Sequence, residues 1–373
     1  LLCYHKFESI DGERKSRFPL FVTNIGAVFM VVRYILQMAV LFLCVCPLSA
    51  SSFYFSDPLV TRENLAFTPI DWSSLSQLRD KHYFLWFRDS TKQQLEEQHF
   101  FLFKKLLSIG QTPFQSYLFI DSKSYGKMLF IDGELQSSQE DEFIYHESLV
   151  QPAMVAHPSP KSILVIGAGE GATAREILRH DSVEQLVLVD IDGEIVQKCQ
   201  ELLWEWHQGS FEHPKVELLI MDGKIYVENT DKKFDIIYID ICDKLDNSPA
   251  AELYSERFYR SLKQILNPNG IVVVQAMEFD SKISKDHLIV HHTLKRVFSH
   301  TYSSGIYVPS FWATWGFVMA SDVPYIGNLK AEEVDLILVA RGLNTQLRHY
   351  DGETHRHMFS LSKPFRKLLQ RIQ

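Results

Sequence analysis

Between residues 163 and 178 the chain reads ILVIGAGEGATAREIL, and no other stretch constrains the fold as much. The apolar run 163–166 predicts a buried strand, a turn follows with Gly167, Gly169 and Gly171, and residues 172–178 carry a helical pattern. In that order, glycines let backbone approach a nucleotide cofactor at the edge of a parallel sheet. Glu170 places a carboxylate inside the loop. A turn that holds pyrophosphate on a helix N-terminus disfavours fixed negative charge. An acid there suits a ligand that arrives with positive charge. Taken alone, the loop also fits a tight turn in any α/β protein.

Neighbouring segments repeat the theme. Residues 185–191 (QLVLVDI) form a second buried-strand pattern that reaches Asp190, about 20 residues past the glycines, where an acid can bind ribose hydroxyls. A third unit, 218–223 (LLIMDG), ends with Asp222, and a fourth, 234–243 (FDIIYIDICD), ends with Asp240 and Asp243. Each aspartate read singly is also a plausible helix N-cap. Together they predict an acidic crevice at the strand ends, where open α/β sheets bind ligands.

At 373 residues the chain can bury one large core or two ordinary ones. Its net charge of -8 and the lack of a Lys/Arg-rich block exclude a nucleic-acid-binding reading. Five cysteines, Cys3, Cys44, Cys46, Cys199 and Cys242, make neither a disulfide framework nor a metal-ligand array. His287, His291 and His292 lie on an expected helix without zinc-site partnering and read as surface or structural residues. No metal is expected.

The organisation follows from pattern changes along the chain. Residues 1–50 hold an apolar segment, 20–49, interrupted by Asn24, Arg33 and Gln37. From Met30 it resembles a bacterial secretory signal, with Arg33, an apolar core at 34–48 and small residues Ser49, Ala50 and Ser51. Because the chain begins with Leu1, the residues before Met30 read as a translation or fragment artefact. A membrane helix over about 20–48 and a packed helix without targeting value are the competing readings. Residues 51–82 read as a linker, and 83–140, with short alternating runs, as a small antiparallel β domain. A helix over 141–156 opens a Rossmann-like, methyltransferase-type α/β domain spanning 141–373.

Longer motifs then add a family. WFRD at 86–89, FQSYLFIDSKSYGKMLFIDGELQSSQEDEFIYHE at 114–147, IGAGEGATAREILRH at 166–180 and VDIDGEIV at 189–196 run collinearly with FDIIYIDICD, LYSERFYRSLKQILNPNGIVVVQ at 253–275 and LRHYDGETHRHMFSLSKPFRK at 347–367. From about Trp86 to Lys367 the chain resembles the polyamine aminopropyltransferases, the spermidine synthase family. The EWHQGSF segment at 205–211 and the glutamate form of the loop resemble bacterial members of broad substrate range, some of which prefer longer amines or agmatine to putrescine. The resemblance implies transfer of an aminopropyl group from decarboxylated S-adenosylmethionine (AdoMet) to a primary amine, with methylthioadenosine as the other product. It also implies a β domain on a Rossmann-like domain, a homodimer, no permanently bound cofactor and a cytoplasmic setting. The signal-like segment points instead to export or membrane attachment.

Site roles carry over from the same resemblance. Asp240 stands where the family keeps the base that deprotonates the attacking amine, and Tyr145 where a hydroxyl orients it. Asp243, His146, Glu170 and Trp86 fall at substrate-binding positions, with Glu170 beside the donor's ammonium. Gln115, Gly167, Gly169, Asp190, Asp222, Gly223 and Pro249 fall at positions around decarboxylated AdoMet. Three residues depart from the family pattern: Ala168 for a glycine, Lys244 for a proline, and Phe311, with Trp312 and Trp315 nearby, for a substrate-contacting tyrosine. Two competing readings remain at this level: an AdoMet-dependent methyltransferase on the same scaffold, and a non-catalytic exported relative.

Overall fold

The computed structural model describes the backbone of residues 54–56, 83–87, 99–167, 169–242, 249–280, 284–324 and 328–370, and side chains from residue 101 onward except at 249–251. The apolar segment 20–49, most of the expected linker, Ala168, Asp243 and Lys244 lie outside the described residues. Among the described residues, no helix is long and apolar enough to cross a membrane.

The first sheet is an antiparallel meander of β1 (Tyr54–Ser56), β2 (Tyr83–Phe87), β3 (His99–Gln111), β4 (Ser116–Ser122), β5 (Gly126–Ile131) and β6 (Glu134–Ser138). β1 falls inside the stretch read as linker and pairs with β2, Tyr54 opposite Trp86. Asp132 and Gly133 join β5 to β6 with φ of 48° and 88°. Two successive left-handed residues are what a type I′ hairpin requires, and Asp-Gly supplies them. Alternation sorts the side chains by face. Leu118, Ile120, Met128 and Phe130 pack with Phe101 and Phe103, whereas Phe119, Leu129 and Ile131 pack on Ala172, Ile195, Cys199 and Trp206 of the following domain.

The second sheet contains β7 (Ser162–Ile166), β8 (Gln185–Asp190), β9 (Val216–Ile220), β10 (Phe234–Ile239), β11 (Leu266–Glu278), β12 (His300–Val308) and β13 (Ala313–Ser321), in the order β12-β13-β11-β10-β7-β8-β9. Neighbours from β9 to β11 run parallel, and β13 is antiparallel to both β11 and β12. Along β7, Ile163 and Val165 enter one core while Leu164 and Ile166 enter the other. Coverage on both faces explains why the sequence there reads as an unbroken apolar run. The described helices that shape the site are α1 (Glu142–Ala156), α2 (Ala172–Leu178), α3 (Gly193–Leu202), α4 (Trp204–His207) and α5 (Gly223–Asn229).

From β7 the chain moves outward through β8 and β9, then returns past β7 to form β10 on its other side. The exits of β7 and β10 therefore diverge. Such a topological switch point is where open α/β sheets bind ligands.

Candidate active site

Backbone bonds stitch the switch point together. The Asp240 N–H donates to the Ile166 carbonyl at 2.8 Å and the Gly167 N–H to the Val189 carbonyl at 2.9 Å. Gly167 has φ of 90°, and a Cβ there would run into the Asp240 carbonyl. Glycine alone lets the chain leave β7 this close to β10. The Gly169 N–H donates to Asp190 Oδ2 at 2.9 Å, and the Asp192 N–H donates to Oδ1 at 2.8 Å. Asp190 thus ties the glycine loop to the exit of β8.

Above these strand ends lies a cavity of about 230 Å³, closed on one side by the β5–β6 hairpin and α1. Its charged lining consists of Asp132, Glu170, Asp190, Asp222 and Asp240 with His146; none of the described lining residues is a lysine or arginine. A cavity with five carboxylates favours a cationic ligand.

Asp240 is clasped from both sides. The Tyr145 hydroxyl donates to Oδ1 and the Thr173 hydroxyl to Oδ2, each at 2.6 Å. Tyr145 projects from the end of the first turn of α1, edge-on to Phe311 and Phe317 at centroid distances of 6.0 and 5.4 Å. Each carboxylate oxygen has two lone pairs, so both can hold a hydroxyl and still accept another proton.

Glu170 sits in a different environment. The Ser137 hydroxyl donates to its Oε2 at 2.6 Å, and Trp206 Nε1 donates to Ser137 Oγ at 2.9 Å. His146 Nε2 lies 4.0 Å from the same oxygen. Burial pushes the Glu170 carboxyl up to about 7, against the opposing pull of His146 and Ser137; Asp240 and Glu142 add to the rise. Burial alone would lower the His146 pKa, but the hydrogen bond and charge of Glu142, joined by Glu170 and Asp240, outweigh it and raise it.

The remaining expected residues are placed as follows. Gln115 lines the cavity, but its amide donates to Asp192 Oδ2 at 2.9 Å, beside the Thr112 hydroxyl at 2.6 Å. Asp222 lines the cavity and also caps α5, accepting from the Lys224 N–H at 2.7 Å. Gly223 opens α5 against Ile166. Pro249 begins a 3-10 turn, Pro249–Tyr254, directly after residues 243–248, which include Asp243 and lie outside the described set. Trp86 lies on β2 opposite Phe100, with its side chain outside that set. Phe311 lines the cavity 4.9 Å from Trp315, centroid to centroid. His287 and His291 are buried, not at the surface, and share the Ser303 hydroxyl at 2.9 Å each, which leaves the structural reading; His292 is half-buried.

Several participants escaped the sequence reading. Thr173 could have been found as a hydroxyl in the first turn after the glycine loop. Glu142 could have been found as the i,i+4 partner of His146 on one helix, whereas Ser137 and Trp206 had no local signal, because their partners stand 33 and 69 residues away. Gln275 was quoted only as the end of a motif; its amide donates to the Ile241 carbonyl at 2.7 Å and holds the exit of β10.

Fold and site together define a Rossmann-like enzyme built for a nucleoside that carries positive charge. Comparison with known proteins narrows the class. The profile described as "Spermine/spermidine synthase domain" matches residues 142–328, and "Spermidine synthase tetramerisation domain" matches 85–139. The chain is 42% identical to polyamine aminopropyltransferase 2 of Pseudomonas aeruginosa, over 73% of this chain and 78% of that protein. It is 45% identical to polyamine aminopropyltransferase 2 of Hyperthermus butylicus, over 71% and 87%. Among solved structures, a spermidine synthase in complex with the transition state analogue AdoDATO superposes with a TM-score of 0.67 at 28% identity, covering 74% of this chain and 91% of that one. Spermidine synthase from Thermotoga maritima superposes with a TM-score of 0.66 at 29% identity, covering 74% and 90%. The chain belongs to the spermidine synthase family. Similarity to bacterial and archaeal relatives is comparable, so the narrower likeness to bacterial members does not stand out.

Proposed function

We infer that this protein is a polyamine aminopropyltransferase. It transfers the aminopropyl group of decarboxylated AdoMet to a primary amine, releasing methylthioadenosine and an amine longer by one aminopropyl unit. The observation that carries this reading is the cavity itself: five carboxylates and no described lysine or arginine in its lining, at the switch point of a Rossmann-like sheet. Both substrates are cations, the donor through its sulfonium and ammonium, the acceptor through its amines.

The chemistry is a displacement at carbon. The acceptor nitrogen forms a bond to the carbon next to sulfur, the C–S bond breaks, and sulfur keeps the electron pair as a neutral thioether. An alkylamine with a pKa near 10 arrives protonated and has no lone pair to give. Asp240 takes that proton, with Tyr145 and Thr173 fixing both carboxylate oxygens. Base assistance of this kind contributes roughly 10²–10⁴-fold, and alignment of nitrogen, carbon and sulfur supplies much of the rest.

Around that centre, Asp190 takes the ribose, while Asp222 and Gly223 take the adenine end. Gly167 and Gly169 allow close approach, and Gln115 and Pro249 complete the donor pocket. Glu170 receives the donor's ammonium beside His146. Asp243 and Trp86 contribute to the acceptor path, which accommodates putrescine or a related polyamine against Phe311. The match of residues 85–139 to a tetramerisation domain supports a homo-oligomer.

The direct test is incubation with decarboxylated AdoMet or AdoMet, paired with putrescine, agmatine or spermidine, and chromatography of the products. Methylthioadenosine released only with the decarboxylated donor is the expected result. Turnover with AdoMet alone would make the chain a methyltransferase instead.

A further inference from the structure

A chain of buried charges leads away from the cavity. Glu170 lies on the loop after β7, His146 and Glu142 stand one turn apart on α1, and Arg175 projects from α2. Their side chains are 13%, 5%, 6% and 7% exposed. We propose that His146 is a positioning residue for the donor: held as an imidazolium by Glu142, which Arg175 grips, it draws the buried Glu170 toward its ionised form so that the carboxylate can receive the donor's ammonium. The proposal rests on the functional reading above and explains how its charged loop can work.

The tautomer is set by geometry. His146 Nδ1 faces two acceptors, the Glu142 carbonyl at 2.8 Å and Glu142 Oε2 at 2.9 Å, so Nδ1 carries a proton in every state. Nε2 alone then decides whether the ring is charged, and it looks at Glu170. A neutral ring would present a lone pair to that carboxylate. Arg175 grips Glu142 through two bonds of 3.0 and 2.9 Å. Arg175 also binds the buried Glu176 through Nε at 2.9 Å, and Arg179 holds Glu176 from its other side at 2.9 Å, so with His146 protonated three carboxylates (Glu142, Glu170, Glu176) face three cations (His146, Arg175, Arg179) and the group is neutral. With the ring neutral, one uncompensated negative charge is left buried, which is costly. The other groups facing the pair are the Asp240 carboxylate, the Ser137 hydroxyl oriented by Trp206, the buried Cys199 thiol, whose ionisation burial and the nearby Glu170 charge oppose, and the ring of Tyr145 at 5.0 Å from that of His146. Asp240 favours the imidazolium and opposes ionisation of Glu170, so without His146 a proton would settle on Glu170 and erase the charge the ligand needs.

Only the carboxylate form of Glu170 binds the ammonium, so donor affinity rises as pH rises through its titration at about 7. The apparent affinity scales with the competent fraction, which makes wild-type binding about tenfold tighter at pH 8 than at pH 6. His146→Gln keeps a donor toward Glu142 but loses the charge. The limb then moves to higher pH, a shift of one unit costing about fivefold at pH 7, and binding recovers toward pH 8.5.

The experiment is calorimetry with decarboxylated AdoMet on the wild type and His146→Gln across this range, with methylthioadenosine, which lacks the ammonium, as control. The expected result is a shifted limb for the donor and unchanged methylthioadenosine binding. An equal, pH-independent loss for both ligands would reduce His146 to a structural role and overturn the proposal. So would pH-independent donor binding by the wild type, which decides the matter even if the variant does not fold. Wild-type turnover combined with either result leaves the aminopropyltransferase reading intact. Failure of the wild type to bind decarboxylated AdoMet would overturn both.

Discussion

Asp240→Asn exchanges one oxygen for an amide nitrogen, and its neighbours decide what that does. The carboxylate accepts two hydroxyl bonds of 2.6 Å, from Tyr145 and Thr173. The amide offers one acceptor and two donors, so one hydroxyl must turn and accept. Hydroxyls can do so, and the change also removes a negative charge from a cavity that holds four further carboxylates. The loss of charge on bonds worth roughly 1.5–3 kcal/mol each is therefore partly offset. Folding and donor binding are expected to survive.

Turnover is not. An amide cannot take a proton from an alkylammonium, so kcat is expected to fall by about 10²–10⁴-fold, or roughly 3–5 kcal/mol of barrier. Methylthioadenosine release at saturating donor and amine measures kcat; calorimetry with the donor reports binding separately. A second signature follows from the acceptor's pKa near 10: each added pH unit delivers about tenfold more neutral amine. The variant's rate is expected to climb with that slope up to about pH 9, where the missing base matters less. A kcat within about fivefold of wild type near pH 7, or a loss that alkaline pH does not relieve, would refute the base assignment.

Three further outcomes are expected. Tyr145→Phe removes one charged hydrogen bond from Asp240; at roughly 1.5–3 kcal/mol, kcat is expected to fall by about 10–100-fold, and an unchanged kcat would make the hydroxyl merely structural. Gly167→Ala drives a Cβ into the Asp240 carbonyl at a φ of 90°, and a strained backbone of this kind costs on the order of 1–3 kcal/mol before the clash is counted, so a variant with wild-type melting temperature and activity would contradict the close approach. Burial pushes His287 and His291 down to about 3 and 4; because the unfolded chain takes up protons first, stability is full above about 6.5 and falls below it by up to about 1.4 kcal/mol per pH unit for each, and melting scans between pH 7 and pH 5 check this.

The α/β class was legible because its signals are local. Residues 163–166, Gly167, Gly169 and Gly171, and the helix after them form strand, turn and helix within one short segment. The carboxylates at Asp190, Asp222 and Asp240 could be placed on one edge because parallel strands in a doubly wound sheet share an edge. The environment of each acid was not legible. Glu170 is drawn toward ionisation, against its burial, by His146, 24 positions back in the chain, and through it by the Glu142–Arg175 pair, 33 residues apart. The pattern over 141–156 predicted a helix and nothing of its surroundings; that its residues 145–155 would all be buried, with His146 and Glu147 enclosed, depended on packing against strands distant in sequence.

The choice between N-cap and ligand, which the sequence left open for each strand-end aspartate, proves to be a choice between oxygens. Asp222 spends Oδ1 on the Lys224 and Ile225 N–H groups at 2.7 and 3.4 Å, and neither bond uses Oδ2. Asp192 divides its carboxylate the same way: Oδ1 caps α3, while Oδ2 takes Thr112 and Gln115 from across the domain boundary. Asp240 makes no cap bond among the described residues and gives both oxygens to hydroxyls. A cap fixes a carboxylate by backbone N–H groups that cannot leave, which suits an acid that must hold a nucleoside in place. Hydroxyls can rotate between donating and accepting. They are the partners an acid needs if it must gain a proton in one half of a turnover and lose it in the other.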